Sequence, residues 1–228
     1  MAQMPGEGIT VSKDNRTIAI TATDSVTAIA DVATVHIGFL IYGVDHDSTY
    51  AAGLKVSNAI VGALKAAGVA ADAIESAGQG IQPVQPYERQ NFTEAEKAQR
   101  QFSLNQSWTV RAAANDGARI LDIAVKTGAN ASGQIDWSLK DSNAPEAEAA
   151  GKALQRARTV AESMARGLNV KLGALIYASN TTQAQAVRPV MMALGKAAPV
   201  ALGAAQPLAI NPRQMEKAAT VYAVFAIE

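Results

Sequence analysis

The side chains best suited to chemistry are few, and the histidines come first. His36 and His46 are the only two in the chain, and His46 stands between Asp45 and Asp47. Two imidazoles with carboxylates make a divalent-metal donor set if a fold brings them together. The local pattern favours a plainer account: His46 falls on a surface turn at the end of an extended stretch, and His36 lies on one face of that stretch. No metal site is expected. A Ser-His-Asp nucleophile would have to assemble from distant residues, because no Gly-x-Ser-x-Gly elbow occurs. Neither a Gly-x-x-x-x-Gly-Lys-Ser/Thr loop nor a Gly-x-Gly-x-x-Gly run is present, and Gly6-Glu-Gly8 and Gly78-Gln-Gly80 read as turns. No catalytic residue and no cofactor is expected, and the chain reads as a non-enzyme.

Trp108 and Trp137 could stack a planar ligand, but both fall on the apolar side of alternating stretches and are read as core. Glu94, Glu96, Lys97 and Arg100 form a charge cluster able to pair across subunits. A solvated loop accounts for them equally well, since exposed pairs contribute little.

Composition narrows the classes further. The 228 residues carry 20 basic and 20 acidic side chains with no long run of either sign, which argues against nucleic acid as a partner. With no cysteine, disulfides, thiolate metal sites and thiol catalysis are excluded, and the fold must stand on packing. That absence fits an oxidising compartment and also fits many cytosolic proteins. No apolar run reaches the roughly 20 residues of a membrane-spanning helix. The first residues, Met1-Ala-Gln-Met-Pro-Gly-Glu-Gly, lack the basic and apolar regions of a signal peptide. The expectation is either a cytosolic chain or a mature chain carrying an added initiator methionine.

The elements that must position these residues follow from periodicity. Thr17 to Thr23 alternates, with Ile18, Ile20 and Ala22 on one side, and Ala30 to Tyr42 alternates with Val35, Ile37, Phe39 and Ile41 on one face. Asp24-Ser25 between them predicts a turn and an antiparallel hairpin. A helix capped by Asp47 or Ser48 is expected to run to Ala67, with Tyr50, Leu54, Ser57, Val61 and Leu64 at helical spacing and Gly68 as its stop. Ile74 to Val84 reads as extended, confined by Pro83 and Pro86 to an edge or an end. Tyr87 to Gln101 reads as an exposed hairpin loop with room for one helical turn. Gln106, Trp108, Val110 and Ala112 mark the next strand, and Asn115 or Asp116 opens a short helix with core positions Ala118, Leu121 and Val125, closed by Gly128. Ile135, Trp137 and Leu139 alternate with Asp136, Ser138 and Lys140.

This order predicts an α+β fold whose antiparallel sheet has a ferredoxin-like βαββαβ core over residues 30 to 140. To it are added an initial strand, a long Ala-rich helix from Asn143, a strand at Ala174 to Ser179 and a final strand at Thr220 to Glu228. In the long helix Asn143 and Glu146 make a capping-box-like start and Pro145 sits in the first turn. Leu154, Ala157, Ala161, Met164 and Leu168 repeat at three and four residues, and Gly167 supplies a left-handed stop. Residues 1–14 are expected to be a flexible lead-in, and 15–228 a single domain.

The pattern from Glu146 to Tyr177 (EAEAAGKALQRARTVAESMARGLNVKLGALIY) resembles the most regular segment of the SIMPL-domain family, in which an Ala- and Lys/Arg-rich helix ends at a Gly-Val-Lys-Leu-Gly-like turn before a strand. Other matches stand in family order: Ala30-Asp31-Val32-Ala33 at the start of the long strand, Leu64-Lys-Ala-Ala-Gly-Val69, Gly128-Ala-Asn130 and Pro189 to Met192. The resemblance covers residues 15 to 228. The turn departs from it at Leu168-Asn169-Val170, where a glycine more often precedes the valine, and the charged insertion near Glu94 to Arg100 is longer.

The resemblance implies an envelope protein of Gram-negative bacteria, periplasmic or outer-membrane associated, with its signal peptide removed and a role in oxidative-stress defence. It also implies a homo-oligomer, since some relatives form large ring-like or hollow assemblies. The apolar segment 184–210 fits that expectation as an arm packing on a neighbouring subunit. Its candidate contacts are Val187, Val190, Met191, Met192, Leu194, Val200 and Leu202. The alternative is a periplasmic small-molecule or lipid binding protein whose groove lies between the sheet and the 184–210 arm.

Overall fold

A computed structural model describes residues 16–180 and 208–228. The lead-in at 1–14 and the seven candidate contacts from Val187 to Leu202 lie outside the described residues. In chain order the elements are β1 (Thr17–Ile29), β2 (Val32–Gly43), α1 (His46–Ala66), β3 (Ile74–Pro83), α2 (Glu94–Gln99), β4 (Phe102–Ala113), α3 (Gly117–Lys126), β5 (Ile135–Ser138), α4 (Asn143–Gly167), β6 (Leu172–Asn180) and β7 (Gln214–Ile227). The fold is α+β with antiparallel sheets, as expected. It forms two compact units, one from residues 16–28, 141–180 and 215–228, the other from 29–140 and 208–214.

In the second of these units the sheet order is β3-β4-β2-β5, and each neighbouring pair runs antiparallel. Val35 stands opposite Val110 and Ile37 opposite Trp108, so the apolar residues of alternating strands fall on one face. Against that face pack Ile60 and Leu64 of α1 and Ile120, Leu121 and Ala124 of α3. Element order and strand order are compatible with the expected split βαβ unit.

Helix α1 is capped by Asp45 rather than by the expected Asp47 or Ser48. The Asp45 carboxylate accepts the Ser48 backbone N–H at 2.8 Å, and Gly68, at φ +90°, ends the helix as expected. Its buried residues are Thr49, Gly53, Ile60 and Leu64, whereas Tyr50 and Leu54, expected in the core, are exposed. Gly53 explains the shift: a Cβ there would lie 2.7 Å from Leu104 Cδ1, so the helix rests on its bare backbone. Helix α3 repeats the pattern. It buries Gly117, Ile120, Leu121 and Ala124 and leaves the expected core residue Val125 exposed, because Gly117 seats it against Ala33, whose Cβ would be 3.1 Å from an added methyl.

In the other unit the sheet order is β1-β7-β6, with β6 and β7 antiparallel. The expected turn at Asp24-Ser25 is not made. Asp24 accepts the N–H of its neighbour Ser25 at 2.8 Å inside a strand that continues to Ile29. Ile18, Ile20 and Ala22 are buried on one face, and Val26, beyond the partly buried Asp24, returns to that face. The hairpin with β2 does not form either: β1 pairs with β7, and Thr23 and Thr220 hydroxyls meet at 2.9 Å.

Helix α4 covers this sheet with Ala149, Ala153, Ala157, Ala161 and Ala165, all fully buried at strict four-residue spacing, against Ile18, Ile20, Ala22, Val221, Ala223, Phe225 and Ala219. Met164 and Leu168, expected on the buried stripe, are exposed; the methyl stripe lets the helix approach more closely than larger side chains would. Two terminal expectations are also corrected. Asn143 is the first helical residue rather than a cap, its N–H bonded to Asp141 at 2.8 Å, and Glu146 reaches Lys217 instead. The left-handed residue after the helix is Asn169, at φ 55°, not Gly167. That is the position where glycine is more frequent in the family resembled, and Asn is the other residue that adopts this conformation readily.

Candidate functional site

His36 lies in β2 on the sheet face opposite the helices. Its Nε2 meets Asp136 Oδ2 of β5 at 2.7 Å, and Gln134 Nε2 donates to Asp136 Oδ1 at 3.0 Å. The Gln134 amide first, and the imidazole second, hold the Asp136 carboxyl below its ordinary value. The dyad joins two strands 100 residues apart in sequence. Imidazole and carboxylate together resemble half of a proton relay, but no hydroxyl among the described residues bonds to the remaining ring nitrogen.

His46 sits elsewhere, at the start of α1. Its Nδ1 pairs with Asp47 at 2.9 Å, and its ring lies parallel to Tyr50 and edge-on to Phe102. Asp45 is committed to the helix cap, and the Ser48 backbone N–H, followed by the Ser48 hydroxyl, lowers its pKa. Among the described residues no three His, Asp or Glu side chains gather as metal ligands do.

Trp108 is buried and packs on Phe39 with ring centres 5.9 Å apart; Trp137 is partly buried at the border of the same core. Both rings pack with the core, as expected. The charge cluster pairs within its own loop. Thr93 and Glu96 form a reciprocal capping box at the start of α2, with the Thr93 backbone N–H the main cause of a lowered Glu96 pKa. Lys97 meets Glu94 at 2.7 Å and Arg100 meets Glu96 at 3.1 Å. The Arg100 guanidinium lies 5.3 Å from the Tyr42 ring centre and 4.8 Å from that of Phe92, a cation–π contact with two rings that fastens the loop.

Gly78 and Gly80 belong to edge strand β3 rather than to a turn, and the ladder to β4 shifts register between Ser76 and Gly78. Between β3 and α1 runs a groove of about 310 Å³, walled by Tyr50, Leu54 and Ser57 and floored by Gln79, Ile81 and Leu104. Sequence reading missed it because Tyr50 and Leu54 sit at core spacing; the glycines at 53 and 80 beside them were the available signal. A second exposed apolar feature lies in the other unit. Strand β6 is the outer strand of its sheet, and its consecutive residues Leu175, Ile176 and Tyr177 are 45%, 58% and 51% exposed.

These features describe an α+β protein with two helix-covered antiparallel sheets and apolar surfaces suited to contact with other molecules. Residues 18–225 match the model of the SIMPL family, described as a protein of unknown function (DUF541), and the chain belongs to that family. It is also similar to the 26 kDa periplasmic immunogenic protein of Brucella melitensis biotype 1, at 26% identity over 175 residues, covering 76% of this chain and 70% of that one. The match spans residues from both structural units.

Proposed function

We propose that the chain is a non-enzymatic protein of the bacterial cell envelope, resident in the periplasm or at the outer membrane, that acts through homo-oligomeric assembly and serves in stress defence. The envelope address is supported by family membership and by the name of the Brucella relative. Assembly is supported chiefly by β6. An uncharged strand with three consecutive exposed apolar residues, outermost in its sheet among the described residues, is a template for another chain, and folded proteins ordinarily blunt such an edge with charge, proline or a cover. Residues 184–210 are proposed as a further contact.

Light scattering tests the reading. The full chain is expected to give a multiple of its 23.6 kDa mass, and Ile176→Lys is expected to shift the population toward the monomer. A wild-type chain that remains monomeric at tens of micromolar would refute assembly. Reproducible turnover lost on replacing His36 or His46 would refute the non-enzymatic part. The 310 Å³ groove between α1 and β3 favours a second reading, binding of a ligand.

A further inference from the structure

Helix α1 is apolar over a wider arc than its sheet covers. Gly53, Ile60 and Leu64 face the core, while Tyr50 and Leu54, at 50% and 45% exposure, stand uncovered on the adjoining face with Ser57 a turn further on. Opposite them lies β3, the last strand of its sheet, which no strand among the described residues pairs on its outer side. Ile81 stands beside Leu104 and Gln79 beside Gln106. The ten residues lining the groove include four apolar side chains and none that is charged.

We propose that this groove binds an extended, uncharged peptide segment of a partner protein. The segment adds to β3 as a further strand and places one apolar side chain between Tyr50, Leu54 and Ile81. Three observations select this occupant. A strand edge left unpaired among the described residues offers alternating N–H and C=O groups at strand spacing, which a polypeptide backbone matches residue for residue. An uncharged lining gives no counter-ion to a charged side chain, which would lose its hydration without compensation. A volume of about 310 Å³ lies at the small end of ligand pockets and suits one or two side chains better than a cofactor. The Gln79 and Gln106 amides supply donors and acceptors to the neutral polar residues that alternate with the anchor.

A displayed library of nine-residue peptides lacking Asp, Glu, Lys, Arg and His, selected on the intact full chain, tests the inference. Enriched peptides are expected to share one large apolar residue and to slow hydrogen exchange at β3 amides. Leu54→Asp is expected to weaken binding about tenfold or more by placing a charge in the apolar wall. Gln79→Glu, which leaves α1 untouched, should act in the same direction if Leu54→Asp disturbs folding. N-methylation of one alternating set of peptide amides, and not the other, should abolish binding. Failure to enrich any sequence, or binding indifferent to both the variants and N-methylation, would overturn the proposal. So would a fall in particle mass on Leu54→Asp, because the occupant would then be a second copy of this chain. The assembly reading stands or falls separately, on wild-type mass and Ile176→Lys.

Discussion

The alanine stripe of α4 gives the sharpest test of how the first unit holds together. Ala157 is the middle of five buried alanines, and the strand residues beneath it, from Ile20 and Ala22 to Ala223, pack against the methyl groups. In Ala157→Leu the side chain gains three carbons. Given empty space they would add about 0.8 kcal/mol of burial each; in a closed contact they force helix and sheet apart, at about 1–3 kcal/mol. Ala157→Gly errs the other way, losing about 1 kcal/mol of helix propensity and about 0.8 kcal/mol of methyl burial. Both variants should therefore lose close to 2 kcal/mol, while Thr159→Leu, on the exposed side of the same helix, should stay within about 0.5 kcal/mol of wild type. In urea, with a slope of about 2 kcal/mol per M, the loss is a midpoint shift of about 1 M. Trp108 and Trp137 both lie in the other unit, so tryptophan fluorescence is the wrong probe. Circular dichroism, with hydrogen exchange resolved to α4, reads the right one. An Ala157→Leu protein as stable as Thr159→Leu would show an unfilled gap under the helix and refute the close-approach argument.

Other expectations follow from single positions. Asn169→Gly relieves a left-handed backbone at φ 55° and should raise the melting temperature, whereas Asn169→Val should cost about 1–2 kcal/mol by denaturation. Gly38→Ala should destabilise, because the new Cβ would lie 2.9 Å from the Ala131 carbonyl oxygen and 3.1 Å from that of Gln106, and backbone atoms cannot rotate away. Asp136 has a folded pKa below its unfolded one, through Gln134 and then His36. Its contribution is therefore complete above the unfolded value of about 3.9 and is lost as pH falls through the depressed folded value. The stability gap between wild type and Asp136→Asn, measured by urea midpoints, should thus be present at neutral pH and shrink in acid; a gap constant across that range would remove the dyad from the account.

Much of the fold is legible in the sequence, for a local reason. Alternation marks β2, β4 and β5, because a strand buried on one face must repeat every two residues. Gly68 and Gly128 stop their helices because each takes a positive φ that other residues resist. The ordered pieces from Ala30 to Met192 and the segment Glu146 to Tyr177 point to the family that the match over residues 18–225 establishes. The helix faces are legible only in part. Tyr50, Leu54, Val125 and Met164 follow helical spacing and still face outward, because α1, α3 and α4 are seated by Gly53, Gly117 and the alanines. A reading weighted by side-chain size passes over the residues that permit the closest approach.

What the sequence by itself determined is therefore most of the elements and, with no cysteine, the exclusion of thiol chemistry, both fixed by residue type and short-range spacing. Tertiary structure alone decided three further matters. It paired β1 with β7, about 200 residues away, instead of closing a hairpin at Asp24-Ser25. It brought His36 to Asp136. Among the described residues it also left one flank of α1 and the strand β6 exposed. All three depend on which surfaces meet, and a strand's period shows that it has a buried face without showing which distant segment lies beside it.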